Sequence, residues 1–223
     1  MAARWRWGVA LLMLPALAWG AYWAARMGEA DAAWEGEATK LAQWQQKRYA
    51  PRLEERIAMQ SVFEQAAKRS PANPSIPEAI GLLQLQSGSQ PENSVLALEH
   101  FAVALQDRPG SPYTWASIAE SRARLGFPDA DVLPPLMTAW RQGPSEPEIQ
   151  RTMVDLGLGM WDRASPEMQG TVKIAIAHAM RRSPYRTLPI AFRHNRLELA
   201  CPYVGGDKRL EKTVWPRRCK LER

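Results

Sequence analysis

Apolar positions recur along most of the chain three to four residues apart, the spacing of one buried helix face. Trp34, Ala38, Leu41 and Trp44 share such a face, Pro51 interrupts it, and the pattern resumes from Leu53 to Arg69. The run Ser70-Pro71-Ala72-Asn73-Pro74 ends that stretch. Six further stretches follow in three pairs: 77–88 with 95–109, 112–126 with 130–144, and 148–161 with 166–184. Each pair predicts a helix, a turn and a second helix closing near a proline. Long alternating runs of Val, Ile, Thr and Tyr are absent, so the chain is predicted to be all-α. In the second pair Pro134-Pro135 place the start of the second helix at that point, because proline is tolerated in a first turn.

The pairs are in register. Phe101 to Leu136, Ala104 to Ala139 and Pro109 to Pro144 are each 35 residues apart; Leu136 to Ile176, Ala139 to Ala179 and Pro144 to Pro184 are each 40. A hairpin of this size cannot bury its apolar face alone, so neighbours must stack. Gly81, Ala119 and Gly157 are small enough to let the helices of one hairpin approach closely, and Phe101, Leu136 and Ile176 are expected to fill the space between hairpins.

The second pair resembles a tetratricopeptide repeat through Trp115, Ile118-Ala119, Gly126, Ala139 and Pro144. Ile80-Gly81, Gly88, Ala97, Phe101, Ala104 and Pro109 fill the matching places in the first, and Leu156-Gly157, Ala179 and Pro184 in the third. Two departures stand out: Pro77 where a bulky residue belongs, and Arg122 where the repeat has tyrosine. The resemblance covers about half the chain. It implies a concave face lined by the first helices, on which Tyr113, Glu120, Arg124, Arg151 and Trp161 are the candidate partner-binding residues.

The N-terminus adds a different pattern. Nineteen residues without a charge lie between Arg6 and Arg26. As a helix they would reach about 28 Å, close to the hydrocarbon thickness of a bilayer. Trp5, Trp7, Trp19, Tyr22 and Trp23 bracket them as an aromatic belt does. Residues 7–25 are therefore expected to meet a membrane, and Arg4 and Arg6 keep the N-terminus in the cytoplasm. The rest would be translocated, to the periplasmic side of a bacterial inner membrane. A cleaved signal peptide ending near Ala18-Trp19-Gly20 is the competing reading, and it sends the domain to the same side.

The expected organisation is then an anchor or signal peptide at 1–28, a juxtamembrane helix and capping helix at 29–74, repeats at 75–185, and an irregular basic tail at 186–223. Net charge supports setting the last part aside. From Arg181 onward twelve Lys and Arg face four acids, a surplus of +8 against +6 for the whole chain. Such a tail favours anionic partners, and an acidic glycan is one candidate. Its interleaved Phe192, Tyr203 and Trp215 also suit nucleic acid by composition, but translocation argues against that partner. Both cysteines, Cys201 and Cys219, lie here; in a translocated domain the pair predicts a disulfide.

The layout as a whole resembles the VpsP-like polysaccharide biosynthesis proteins found beside bacterial exopolysaccharide and O-antigen genes. The residues that carry the likeness are Leu98-Glu99-His100-Phe101, Ala104-Leu105, Arg108-Pro109 and Pro112-Tyr113-Thr114-Trp115-Ala116. Gly143-Pro144, Glu146-Pro147-Glu148-Ile149-Gln150, Gly157-Leu158 and Trp161 continue it. The likeness implies an adaptor for making or exporting a surface glycan, with a polymerase, ligase or export component as protein partner. An anchored adaptor of cytochrome c maturation has the same architecture and stays open.

No pattern points to catalysis. His100, His178 and His194 form no H-x-x-x-H or H-E pair, so neither a metal nor a cofactor is expected. G-x-S-x-G, G-x-G-x-x-G and a phosphate loop are all missing. Glu146 and Glu148 suit the start of a helix better than acid–base work.

Overall fold

The computed structural model describes residues 15, 17, 19–22, 33–45, 47, 49–88, 90–204, 208, 210 and 212–221. Among them there are helices and no strands. Helix α1 covers 33–45. It is followed by α2 (Leu53–Arg69), α3 (Ser75–Gln86), α4 (Pro91–Asp107), α5 (Pro112–Arg124), α6 (Asp129–Gln142) and α7 (Pro147–Gly159). A 3-10 turn, Trp161–Arg163, leads to α8 (Pro166–Arg182), α9 (Pro184–Arg193), two more 3-10 turns and α10 (Trp215–Leu221).

The helix boundaries have local causes. Five helices, α4, α5, α7, α8 and α9, open on a proline, where the missing N–H costs nothing and φ is already helical. Ser111 and Ser165 cap α5 and α8 by accepting from the N–H groups of Thr114 and Met168. Gly126, with φ of 74°, closes α5: its own N–H and that of Phe127 return to the carbonyls of Ala123 and Arg122.

Helices α3–α4, α5–α6 and α7–α8 form hairpins, and α3, α5, α7 and α9 neighbour one another in chain order. The expected contacts within this stack are present. Phe101, Leu136 and Ile176 are fully buried. A Cβ placed on Gly81 would lie 2.6 Å from Phe101 Cε1, and one on Gly157 would fall onto Val172 Cγ2. At the N-terminal end Trp34, Leu41 and Trp44 of α1 share a core with Met59 and Phe63 of α2 and with Ile76, Ile80 and Leu83 of α3. Helices α1 and α2 thus close the stack, as their apolar face predicts.

Polar groups stitch the hairpins together. Glu78 of α3 accepts from Thr114 Oγ1 (2.7 Å) and Ser111 Oγ (3.3 Å) and pairs with Arg108, fixing the α4–α5 turn onto α3. Arginines serve repeatedly as carbonyl caps between elements: Arg56 donates to Ser87 O, Arg124 to Leu85 O and Arg182 to Ser145 O, at 2.7–2.9 Å.

Three expectations need correction. Helix α6 begins at Asp129, so Pro134 and Pro135 lie in its interior. Pro135 has no N–H for the carbonyl of Asp131, and Arg122 Nη1 donates to that oxygen at 2.8 Å. The arginine that departs from the repeat pattern thereby repairs the helix. Second, the described part of 186–223 is not irregular. Its described residues form most of α9, two 3-10 turns and α10, and Leu188, Ile190, Leu197, Cys201, Val204, Leu210 and Cys219 belong to the same core as α7 and α8. Third, α8 does end just before Pro184, at Arg182, but the same proline opens a further helix that was not expected, α9, 37 residues after Pro147 opens α7. The expected disulfide is formed: Cys201 and Cys219 are bonded and buried.

Most of the apolar segment 7–25 lies outside the described residues; 15, 17 and 19–22 are helical. Among the described residues no helix is long and apolar enough to cross a membrane.

Candidate functional site

A cavity of about 470 Å³ opens between α5, α7 and the end of α9. Its lining is layered. Ala123, Val132, Leu156 and Met160 are apolar, and Phe127, thrown outward by the Gly126 turn, stands 44% exposed. Around these sit charged groups of both signs from successive helices: Glu120 and Arg124 from α5, Arg151 and Asp155 from α7, Asp129 from α6, and Arg163 from the 3-10 turn. His194 closes the far side.

The charges are tied to one another. Arg124 donates to Glu120 (2.6 Å) as well as to Leu85 O, so its guanidinium is held by two partners. Arg151 pairs with Glu148 one turn earlier. Burial disfavours the charged form of Arg151, but the surrounding carboxylates, Glu148 foremost with Glu120 and Asp155, together outweigh it and the pKa is raised. Arg163 grips Asp129 with two parallel bonds, 2.7 and 3.1 Å, and this pulls the Asp129 carboxyl below its ordinary pKa.

Asp155 is the hub. Arg193 Nη2 donates to both its oxygens at 2.7 Å, and His194 Nε2 meets Oδ1 at 2.7 Å. Burial pushes the Asp155 pKa up, yet the hydrogen bonds from His194 and Arg193 prevail and it is lowered. The His194 ring lies over Gly159, where a Cβ would come within 3.4 Å of its Cε1. Asp155 thus clasps the end of α9 onto α7, and Arg196 adds a pair to Asp162 alongside.

A prediction follows from that clasp. Asp155→Asn should lose about 1–2 kcal/mol at neutral pH, because it removes the charge that pairs with Arg193 and accepts the hydrogen bond of His194. The folded pKa is depressed, so this contribution is present above the unfolded carboxylate value of about 3.9 and fades as pH falls through the lower folded value. Urea midpoints of the two proteins should therefore converge in acid. A gap that persists undiminished well below pH 4 would contradict the clasp.

The residues expected on this face separate into two groups. Glu120, Arg124 and Arg151 line the cavity together. Tyr113 does not: it sits eleven residues before Arg124, about 16 Å along α5. Its hydroxyl donates to Glu146 at 2.5 Å, tying the start of α5 to the start of α7. That bond, with burial and the Glu146 and Glu148 charges, pushes the Tyr113 pKa to about 12. Trp161 is also elsewhere. The 3-10 turn carries it to the α8 side, where it packs on the core and Lys173 stands 5.8 Å over its ring. Asp155, Phe127 and Arg163 are not among the residues the sequence singles out, and His194 enters there only as a histidine without metal-ligand spacing. The first lies at i+4 from Arg151 and could have been found from helical spacing; His194 depends on a tertiary fold-back.

Among the described residues no cluster of His, Cys, Asp and Glu could hold a metal ion. Thr152 is a hydroxyl in the lining, and no hydrogen bond joins it to His194 among those residues. What the groove offers is an apolar floor with paired planar donors and acceptors on both walls, a surface suited to an extended chain. No protein-family model, curated protein or solved structure matches the chain, and the reading of the groove rests on its own residues.

Proposed function

We propose that the chain is a membrane-tethered helical-repeat adaptor that holds a protein partner in the α5–α7–α9 groove, in the service of surface-polysaccharide assembly or export. The observation that carries the docking half is the groove itself: the successive first helices α5 and α7 supply charged side chains around one apolar floor, and His194 at the end of α9 closes it. A stack of hairpins produces such a surface without a catalytic centre. The tether is supported by the uncharged segment 7–25 and by Leu17, Trp19 and Tyr22, which are helical and more than half exposed. The disulfide fits a domain on the oxidising side of that membrane. The glycan pathway follows from the resemblance of the repeats and their flanking motifs to VpsP-like proteins.

Site-specific photocrosslinking in intact cells tests this reading. A crosslinker at Phe127 should capture a polymerase, ligase or export component of a surface glycan. Arg124→Ala with Arg151→Ala should reduce that product by about tenfold, the effect of losing roughly 1.4 kcal/mol. Capture of unrelated envelope proteins only, or an unchanged yield in the double variant, would reject it.

A further inference from the structure

The C-terminal cap turns a charge surplus into a fixed surface. Residues 181–223 carry +8, and those described are folded against α7 and α8. Near the end of α9, Phe192 is exposed. On α10, Arg217 and Lys220 are exposed while Cys219 is buried in its disulfide. The two helices meet through aromatic rings: Phe192 and Trp215 pack edge to face at 6.1 Å. The Arg218 guanidinium lies 4.2 Å over Phe192 and 5.6 Å from Trp215. Among the described residues no ion pair reaches Arg217, Arg218 or Lys220, whereas the groove arginines are all paired.

A solvated run of charge needs no such scaffold. Here the disulfide holds α10 in place, and stacking on two rings orders Arg218 before any ligand arrives. A guanidinium so held presents its N–H edge to a carboxylate. The exposed Phe192 beside it offers apolar contact to a flat, weakly polar ring.

We propose that this cap is a binding surface for an acidic polysaccharide chain, with Arg217, Arg218 and Lys220 taking its carboxylates. The disulfide favours a glycan over nucleic acid, because disulfides persist where surroundings oxidise thiols. A lipid surface fits less well. Interfacial helices bury a continuous apolar face, whereas α10 is seven residues long and turns Cys219 into the core. The proposal rests on the proposed function only for the side of the membrane; its residues are separate from the groove.

The test measures binding of short alginate chains to the full-length protein with its disulfide intact. Binding should be clear at low salt and weaken by about tenfold or more as ionic strength rises past 0.1 M. Arg217→Glu with Lys220→Glu should weaken it by at least about tenfold, since both side chains are exposed and each reversal adds repulsion. Arg217→Gln with Lys220→Gln, which only removes charge, should give a smaller loss in the same direction and stands in if the reversal variant does not fold. Arg124→Ala with Arg151→Ala should leave alginate binding unchanged, so failure of the groove reading and of this one can be told apart. No binding to alginate, binding indifferent to both charge variants, or tighter binding to phosphatidylglycerol vesicles or single-stranded DNA would each overturn it.

Discussion

Phe101→Ala should destabilise the protein by about 3–5 kcal/mol, the cost of deleting a fully buried aromatic ring whose surroundings cannot collapse. The surroundings are rigid for a stated reason. The ring packs against the Cα of Gly81, in the place where any other residue would put its Cβ. Gly81→Ala should therefore also destabilise, by about 1–3 kcal/mol, despite the higher helix propensity of alanine. The two effects should not add. Phe101→Leu shortens the group that collides with the new methyl, so the double variant Gly81→Ala/Phe101→Leu should be more stable than the summed single losses require. Urea titrations of the four proteins close the cycle. Strict additivity would mean that the ring and the glycine do not share the space assigned to them.

That pair also shows what the sequence alone could carry. Its register placed Gly81 against the second helix of its hairpin and Phe101 between hairpins, and both placements depend only on helical spacing and on the need to bury one face. The same logic found Leu136, Ile176, Gly157 and the α1–α2 cap. It fails at Pro184, read as the close of the third hairpin and not also as the start of a further helix. Proline is as suited to the first position of a helix as to the stretch beyond one, and Pro184 follows Pro112 and Pro147 at intervals close to the repeat length. Pro189 inside α9 further masked its helical pattern. Pro134-Pro135 misled in the opposite way, because the compensating donor, Arg122, comes from the neighbouring helix and no local rule announces it.

The candidate groove was legible to a similar depth. Glu120, Arg124 and Arg151 are periodic positions on first helices, so spacing alone brings them to one face. Asp155 adds the next turn of the same face. His194 reaches the groove, and Arg193 reaches Asp155, only because α9 packs on α7, and that packing is invisible once 186–223 is set apart as a tail. Trp161 was assigned by extending α7 beyond its true end; Gly159 and Met160 break the helix first, and the 3-10 turn rotates the indole to the other side.

The second large effect belongs to the cap. Cys201→Ser with Cys219→Ser should cost about 3 kcal/mol in the chain-entropy account, since the bond closes a loop of roughly the length for which that figure holds. The loss should be unevenly distributed. In a stack where each hairpin touches only its neighbours, a defect at one end is felt most by the adjacent element. Without the bond α10 loses its fixed point, and Phe192 loses the Trp215 and Arg218 brace on its outer face. Arg193 and His194 follow Phe192 directly, so the clasp on Asp155 should open more often. Amide hydrogen exchange should then quicken across 186–199 and more weakly across α7, while α3 and α4 keep their protection. Reduction of the native protein should reproduce the pattern of the serine variant. Faster exchange confined to 200–221 would show that the bond braces only its own loop. A uniform increase from α3 to α10 would show instead that the stack unfolds as one unit, without the nearest-neighbour grading that its contacts imply.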